Sequence, residues 1–157
     1  MDNQPNRDTG APAEETARHS DPAAQTMHVN APLYDVKQHG NWTPPQRIEA
    51  SAGEGAVELD FVNADIVHDQ ITVDARPNWN RVEIIVPRGF DVTTEQAAPD
   101  AKPVHDLTTA KPRAGAPHLH VLARGGMGKV LVRHPRARSG LSPLRLPGLR
   151  RLAGRHT

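Results

Sequence analysis

The 157-residue chain has no cysteine, which removes disulfides, thiolate zinc sites and cysteine nucleophiles together and leaves the redox compartment open. Aromatic residues make up only 3% of it and hydrophobic residues 36%, less than a uniformly folded chain of this length uses to build a core. Part of the chain is therefore expected to have none. No stretch approaches the roughly 20 consecutive apolar residues of a membrane-spanning helix. Met1-Asp2-Asn3-Gln4 carries neither the basic nor the apolar region of a secretory signal. The two absences predict a soluble, cytoplasmic protein, membrane-peripheral at most.

What is abundant is proline, at 15 residues, and the charge is unevenly spread. Residues 1–46 hold six acids and three bases (−3), and residues 47–134 hold twelve acids and ten bases (−2). Residues 135–157 hold six arginines and no acid (+6), which recovers the formal net charge of +1.

Residues 1–46 show no sustained apolar period and contain Pro5, Pro12, Pro22, Pro32, Pro44 and Pro45. Such a segment buries too little apolar surface to offset about 1–2 kcal/mol of backbone entropy per ordered residue. It is expected to be a disordered arm. From Arg47 the pattern changes to strict alternation: Ile48, Ala50, Val57, Leu59 and Phe61, then Ile71, Val73 and Ala75. Val82, Ile84 and Val86 follow, then Leu119, Val121 and Ala123, then Val130 and Val132. Period-2 runs rich in β-branched residues predict half-buried strands.

The runs repeat. Ile48-Glu49-Ala50 matches Val73-Asp74-Ala75 and Val121-Leu122-Ala123, and seven residues after each alanine stands a valine, Val57, Val82 or Val130. Between the arms lie Gly53-Glu54-Gly55, Asn78-Trp79-Asn80 and Gly126-Met127-Gly128, residues that readily adopt positive φ in turns. The offsets of 25 and 48 residues, the second near twice 24, predict a degenerate copy near residues 95–110. There Ala97 and Val104 fit but Asp106 is polar, and four prolines suggest partial looping-out. Such periods mark stacked units sharing one core. The expected fold is all-β: a short β-solenoid-like stack of three to four coils over residues 47–135, with disordered tails at 1–46 and 136–157. A β-sandwich or meander is the alternative.

Val82-Glu83-Ile84-Ile85-Val86-Pro87-Arg88-Gly89-Phe90-Asp91-Val92 resembles the V-x-I-x-V-P-x-G-aromatic-x-V segments of one bacterial family. That family is the C-terminal β-domain of cell-wall-active-antibiotics-response (envelope-stress) proteins, a domain of largely unknown function. Gly128-Lys129-Val130-Leu131-Val132-Arg133 resembles the strand that closes it. The resemblance covers about residues 47–135. It implies a β-solenoid-like regulatory module with no catalytic residues.

Candidate catalytic sets are poor. His118 and His120 share one strand face at a spacing metal sites use, but a third ligand is missing and a solvated face is expected. His68-Asp69 and His105-Asp106 are neighbours whose side chains diverge on a strand, and no serine has a nucleophile-elbow context. Gly125-Gly126-Met127-Gly128-Lys129 lacks the distal glycine, the hydroxyl residue and the helix of a phosphate loop. Glu58, Asp60 and Glu83 stack acids on one face, most simply a solvated one. Trp79 and Met127 sit at turn tips and are candidate partner contacts.

In the tail, Arg136, Arg138, Arg145, Arg150, Arg151 and Arg155 are candidates for weak contact with an anionic membrane surface. Nucleic acid is not expected, because the tail has no aromatic for stacking and residues 47–134 are acidic. The chain is thus expected to be a non-catalytic binding or regulatory module with an unidentified protein partner and no cofactor. Self-association through open solenoid ends, giving a scaffold, is the second expectation.

Overall fold

The alternating runs become ten strands in a computed structural model, which describes residues 25–137. The strands are β1 (Thr26–Ala31), β2 (Val36–Gln38), β3 (Arg47–Ala52), β4 (Val57–Asp60), β5 (Gln70–Pro77), β6 (Val82–Ile85), β7 (Asp91–Gln96), β8 (His105–Asp106), β9 (His118–Ala123) and β10 (Val130–Arg133). They form two five-stranded sheets, ordered β1-β3-β5-β9-β7 and β2-β4-β6-β10-β8. Every pairing is parallel. Each layer of the stack gives one strand to each sheet, and the inner faces close on a shared core. The fold is a β-solenoid.

The repeat columns are real columns. Ile48 lies beside Val73 and Val73 beside Val121, while Ala50, Ala75 and Ala123 align in the same sheet. In the other sheet Val57, Val82 and Val130 are successive neighbours, as are Leu59, Ile84 and Val132. All twelve are at most 2% exposed, so each layer buries equivalent aliphatic groups on the next.

Three features depart from the expected arrangement. The first is where the stack begins. β1 pairs with β3, Val29 against Ala50, and β2 pairs with β4, Val36 against Val57, so the repeat starts at Thr26 and not at Arg47. Trp42 is docked too, its indole 5.2 Å from the Phe61 ring and its Nε1 donating to the Asp60 carbonyl at 2.9 Å. Residues 25–46 thus find their apolar partners in the next layer, which compensates for a weak internal pattern. The expectations for residues 1–24 and 138–157 lie outside the described residues.

The second is the stacking order. The degenerate copy exists, as β7 and β8, yet it does not lie between the second and third clear copies. β9 and β10 pack directly on β5 and β6, and β7 and β8 lie beyond them as the end layer. The chain fills layers one, two, three and five, then returns to fill four. Physical sense follows from the inward positions. The column Ile48–Val73–Val121 ends at Thr94, Ala50–Ala75–Ala123 at Gln96, and Ile84–Val132 at Asp106. Thr94, Gln96 and Asp106 are exposed. Polar groups there cost little at a water-facing end and would be costly inside the stack.

The third concerns the turn glycines. Among the described residues no non-glycine residue has positive φ, Asn78 and Asn80 included, and neither Gly53, Gly55 nor Gly128 is left-handed. What these glycines supply is close approach. A Cβ on Gly53 would meet the Pro32 carbonyl oxygen at 2.6 Å, and one on Gly128 would overlap that of Asn80. Turns stacked at the strand spacing of about 4.8 Å leave no room for it.

Candidate functional site

Because the turns between paired strands also stack, their tips form an edge running along the solenoid. Gly53 N donates to the Ala31 carbonyl, Asn80 N to that of Gly53, and Met127 N to that of Asn78, at 2.9, 3.0 and 2.8 Å. Asn80 Nδ2 donates to the Glu54 carbonyl, Gly128 N to that of Pro77 and Lys102 Nζ to that of Met127. These bonds tie successive turns to one another, and the side chains at the tips project. Leu33 is 61% exposed, Tyr34 81%, Trp79 71% and Met127 66%. Trp79 stands out from its turn instead of folding back over the next layer. Leu33, Trp79 and Met127 line an open groove of about 960 Å³, flanked by Asn30, Asn78 and Glu54.

Among the described residues seven large hydrophobic side chains are exposed, and four of them are on this one edge. Clustered exposed aromatic and sulfur side chains mark contact surfaces, whereas scattered ones need no explanation. Trp79 and Met127 were legible as turn tips. Leu33 and Tyr34 were not, because their layer has a short strand β2 and a tip, Pro32-Leu33-Tyr34, without the Gly or Asn frame. Shortening Trp79 and Met127 to alanine together should change stability by only about 0.5 kcal/mol or less, since both side chains are solvated. Urea unfolding of the double variant measures it.

The outer sheet faces carry charge that serves the stack. Asp74, fully buried, accepts from Arg124 Nε at 3.0 Å and Arg124 Nη2 at 2.8 Å, and from Arg47 Nη2 at 3.2 Å; Arg76 stands 3.7 Å away. On the opposite face the Glu83 carboxylate pairs with Arg133 and with Arg81. Arg124 and Arg133 both belong to the fourth layer, so one arginine on each face clamps that layer to the third. Burial pushes the Asp74 carboxyl up, but the Arg124 hydrogen bonds and the Arg124, Arg76 and Arg47 charges outweigh it and hold the group below its ordinary 3.8. Glu83 is likewise held below its ordinary 4.5, burial being outweighed by Arg133 and Arg81.

A depressed folded-state pKa adds stability that is complete above the ordinary value and disappears as pH falls through the folded value. The urea midpoint should therefore drop as pH is lowered from above 4.5 to below 3.8, and the drop should be smaller in Asp74→Asn. A pH-independent midpoint would contradict the clamp.

The remaining candidates are absorbed by the fold. His118 Nδ1 lies 3.0 Å from Asp91 Oδ2, and His120 Nε2 lies 3.2 Å from Glu95 Oε2, so both imidazoles tie β9 to β7. Among the described residues no group of three or more His, Asp or Glu could hold a metal ion. Gly125 to Lys129 form the turn before β10, not a helix start. Glu58 is 3.9 Å from Lys37, and Glu83 belongs to the clamp. Arg136 is exposed, while Arg138, Arg145, Arg150, Arg151 and Arg155 lie outside the described residues. Among the described residues no helix is long and apolar enough to cross a membrane.

Compared with known proteins, the chain matches no family model, no curated protein and no solved structure, so nothing ties it to the envelope-stress family.

Proposed function

We propose that this chain is a non-catalytic binding module that takes a protein partner along the turn edge bearing Leu33, Tyr34, Trp79 and Met127. The observation that carries the reading is the gathering of these four exposed side chains on one edge, whose stacked turns are tied together by main-chain hydrogen bonds. A partner is then held by aromatic and sulfur anchors at fixed spacing, the kind of group that dominates interface energetics. A regulatory role in envelope stress rests only on the resemblance of residues 82–92 and 128–133.

Affinity capture from cell extract with the native chain and with the Trp79→Ala, Met127→Ala double variant tests the proposal. A protein retained by the first and lost by the second supports it. Identical capture by both overturns it. End-to-end scaffolding is the less favoured reading, because the end layer presents Thr94, Gln96 and Asp106 to water.

A further inference from the structure

The layer completed last in sequence is seated between two layers that the chain has already joined. β9 and β10 pair with β5 and β6 on one side and with β7 and β8 on the other. Leu119, Val121, Ala123, Val130 and Val132 are buried between them. Until this layer arrives, the third layer's Ile71, Val73, Ala75, Val82 and Ile84 line an open slot. We propose that this slot also accepts the β9–β10 layer of a second copy of the chain, giving an exchanged dimer.

The inserted layer is well suited to exchange. Its partners in the third layer lie 48 residues away in sequence, so short-range contacts do not dictate which molecule supplies it. An exchanged layer would make every bond the resident one makes, including the Arg124 clamp on Asp74 and the Arg133 clamp on Glu83. Monomer and dimer then differ only in association entropy and in the connecting segment, which is why exchange is a low-cost route to a dimer.

That segment runs from Leu107 to Pro117. Fully extended it spans roughly 36–40 Å, at 3.3–3.6 Å per residue, against a layer spacing of about 4.8 Å. Its ties to the rest of the molecule are few. Arg113 N donates to the Gly89 carbonyl at 2.9 Å, Ala110 N to His134 Nε2 at 3.2 Å and Leu107 N to the Val132 carbonyl at 2.8 Å, and the Pro117 carbonyl accepts from Asp91 N at 3.1 Å. Pro112 and Pro117 bias it toward an extended path. Once formed, an exchanged dimer should persist on dilution, since release requires withdrawing a layer from between two others.

Thr72 of β5 and His120 of β9 are register partners on the outer face, and Arg47 and Thr72 are register partners within the part that does not exchange. Their spacing suits a disulfide, and the chain has no cysteine to compete. Chains carrying Thr72→Cys alone and His120→Cys alone are mixed, unfolded in denaturant, refolded together at several protein concentrations and oxidised. The expected result is a covalent dimer of the two chains whose yield rises with refolding concentration. Chains carrying Arg47→Cys alone and Thr72→Cys alone, treated alike, should give none. Cross-linking of both mixtures to the same extent would signify unspecific association and overturn the proposal. So would the absence of cross-linked dimer in the first mixture while the Thr72→Cys, His120→Cys double variant oxidises within one chain. Failure of that double variant to oxidise would overturn the register on which the slot depends.

Discussion

Val132→Asp should leave the chain unfolded at neutral pH, although the solenoid already carries an aspartate in the same column. Val132 is completely buried between Ile84 and Asp106. A carboxylate placed there has no cation to face among its register neighbours, and leaving a buried charge uncompensated costs about 3–5 kcal/mol. Loss of the valine packing adds to it, against a total stability of about 5–15 kcal/mol for a domain. One layer further out, Asp106 is exposed and its Oδ1 accepts from Thr108 N at 2.9 Å. Asp106→Asn should therefore alter stability by about 0.5 kcal/mol or less. Far-ultraviolet circular dichroism and urea titration of the two variants separate the layers. Equal tolerance at both positions would mean that Val132 is not interior.

Gly128→Ala is the second large effect expected. The added methyl would overlap the Asn80 carbonyl oxygen, a backbone atom that cannot rotate away, and would lie 2.9 Å from that of Pro77. The Met127 N to Asn78 and Gly128 N to Pro77 bonds hold the turns together at this point. Forcing them apart strains both, for a loss of about 3 kcal/mol, the upper part of the usual overpacking range. Gly115→Ala is the informative contrast. No heavy atom lies within 4 Å of a Cβ built there, but its φ of 73° makes the cost one of backbone strain, about 1–2 kcal/mol. The ordering of the two losses in thermal or urea unfolding distinguishes crowding from φ preference.

Much of this was legible in the chain itself. The offsets of 25 and 48 residues placed Val57, Val82 and Val130 in one column because a solenoid keeps equivalent side chains in register. Two things were hidden, for different reasons. Periodicity measures distance along the chain and says nothing about which layer lies upon which, so an offset near twice 24 invited an intervening layer. The corrective signal was present in Asp106, whose polarity suits an end layer alone; Thr94 and Gln96 add to it only in the observed register, where Gln96 and not Ala97 lies beside Ala123. The first layer was hidden because Met27, Val29 and Ala31 precede their partners by 21 residues, not about 25, and β2 has only three residues.

At the turn edge, Trp79 and Met127 could be picked out from their flanking Gly and Asn. The reason for those glycines could not, because close approach between layers is a three-dimensional fact. Of the two arginine clamps, only Arg124 left a trace in the sequence, as the Ala-Arg pair that Ala123-Arg124 shares with Ala75-Arg76. The targets, Asp74 for Arg124 and Glu83 for Arg133, emerge when layers three and four are adjacent.

The out-of-order stack is tested most directly by methyl-resolved nuclear Overhauser contacts in the first sheet. Leu119 should show cross-peaks to Ile71 on one side and to Val92 on the other, with none between Ile71 and Val92. A direct Ile71–Val92 contact, with Leu119 reaching only Val92, would place the layers in simple chain order and contradict the account.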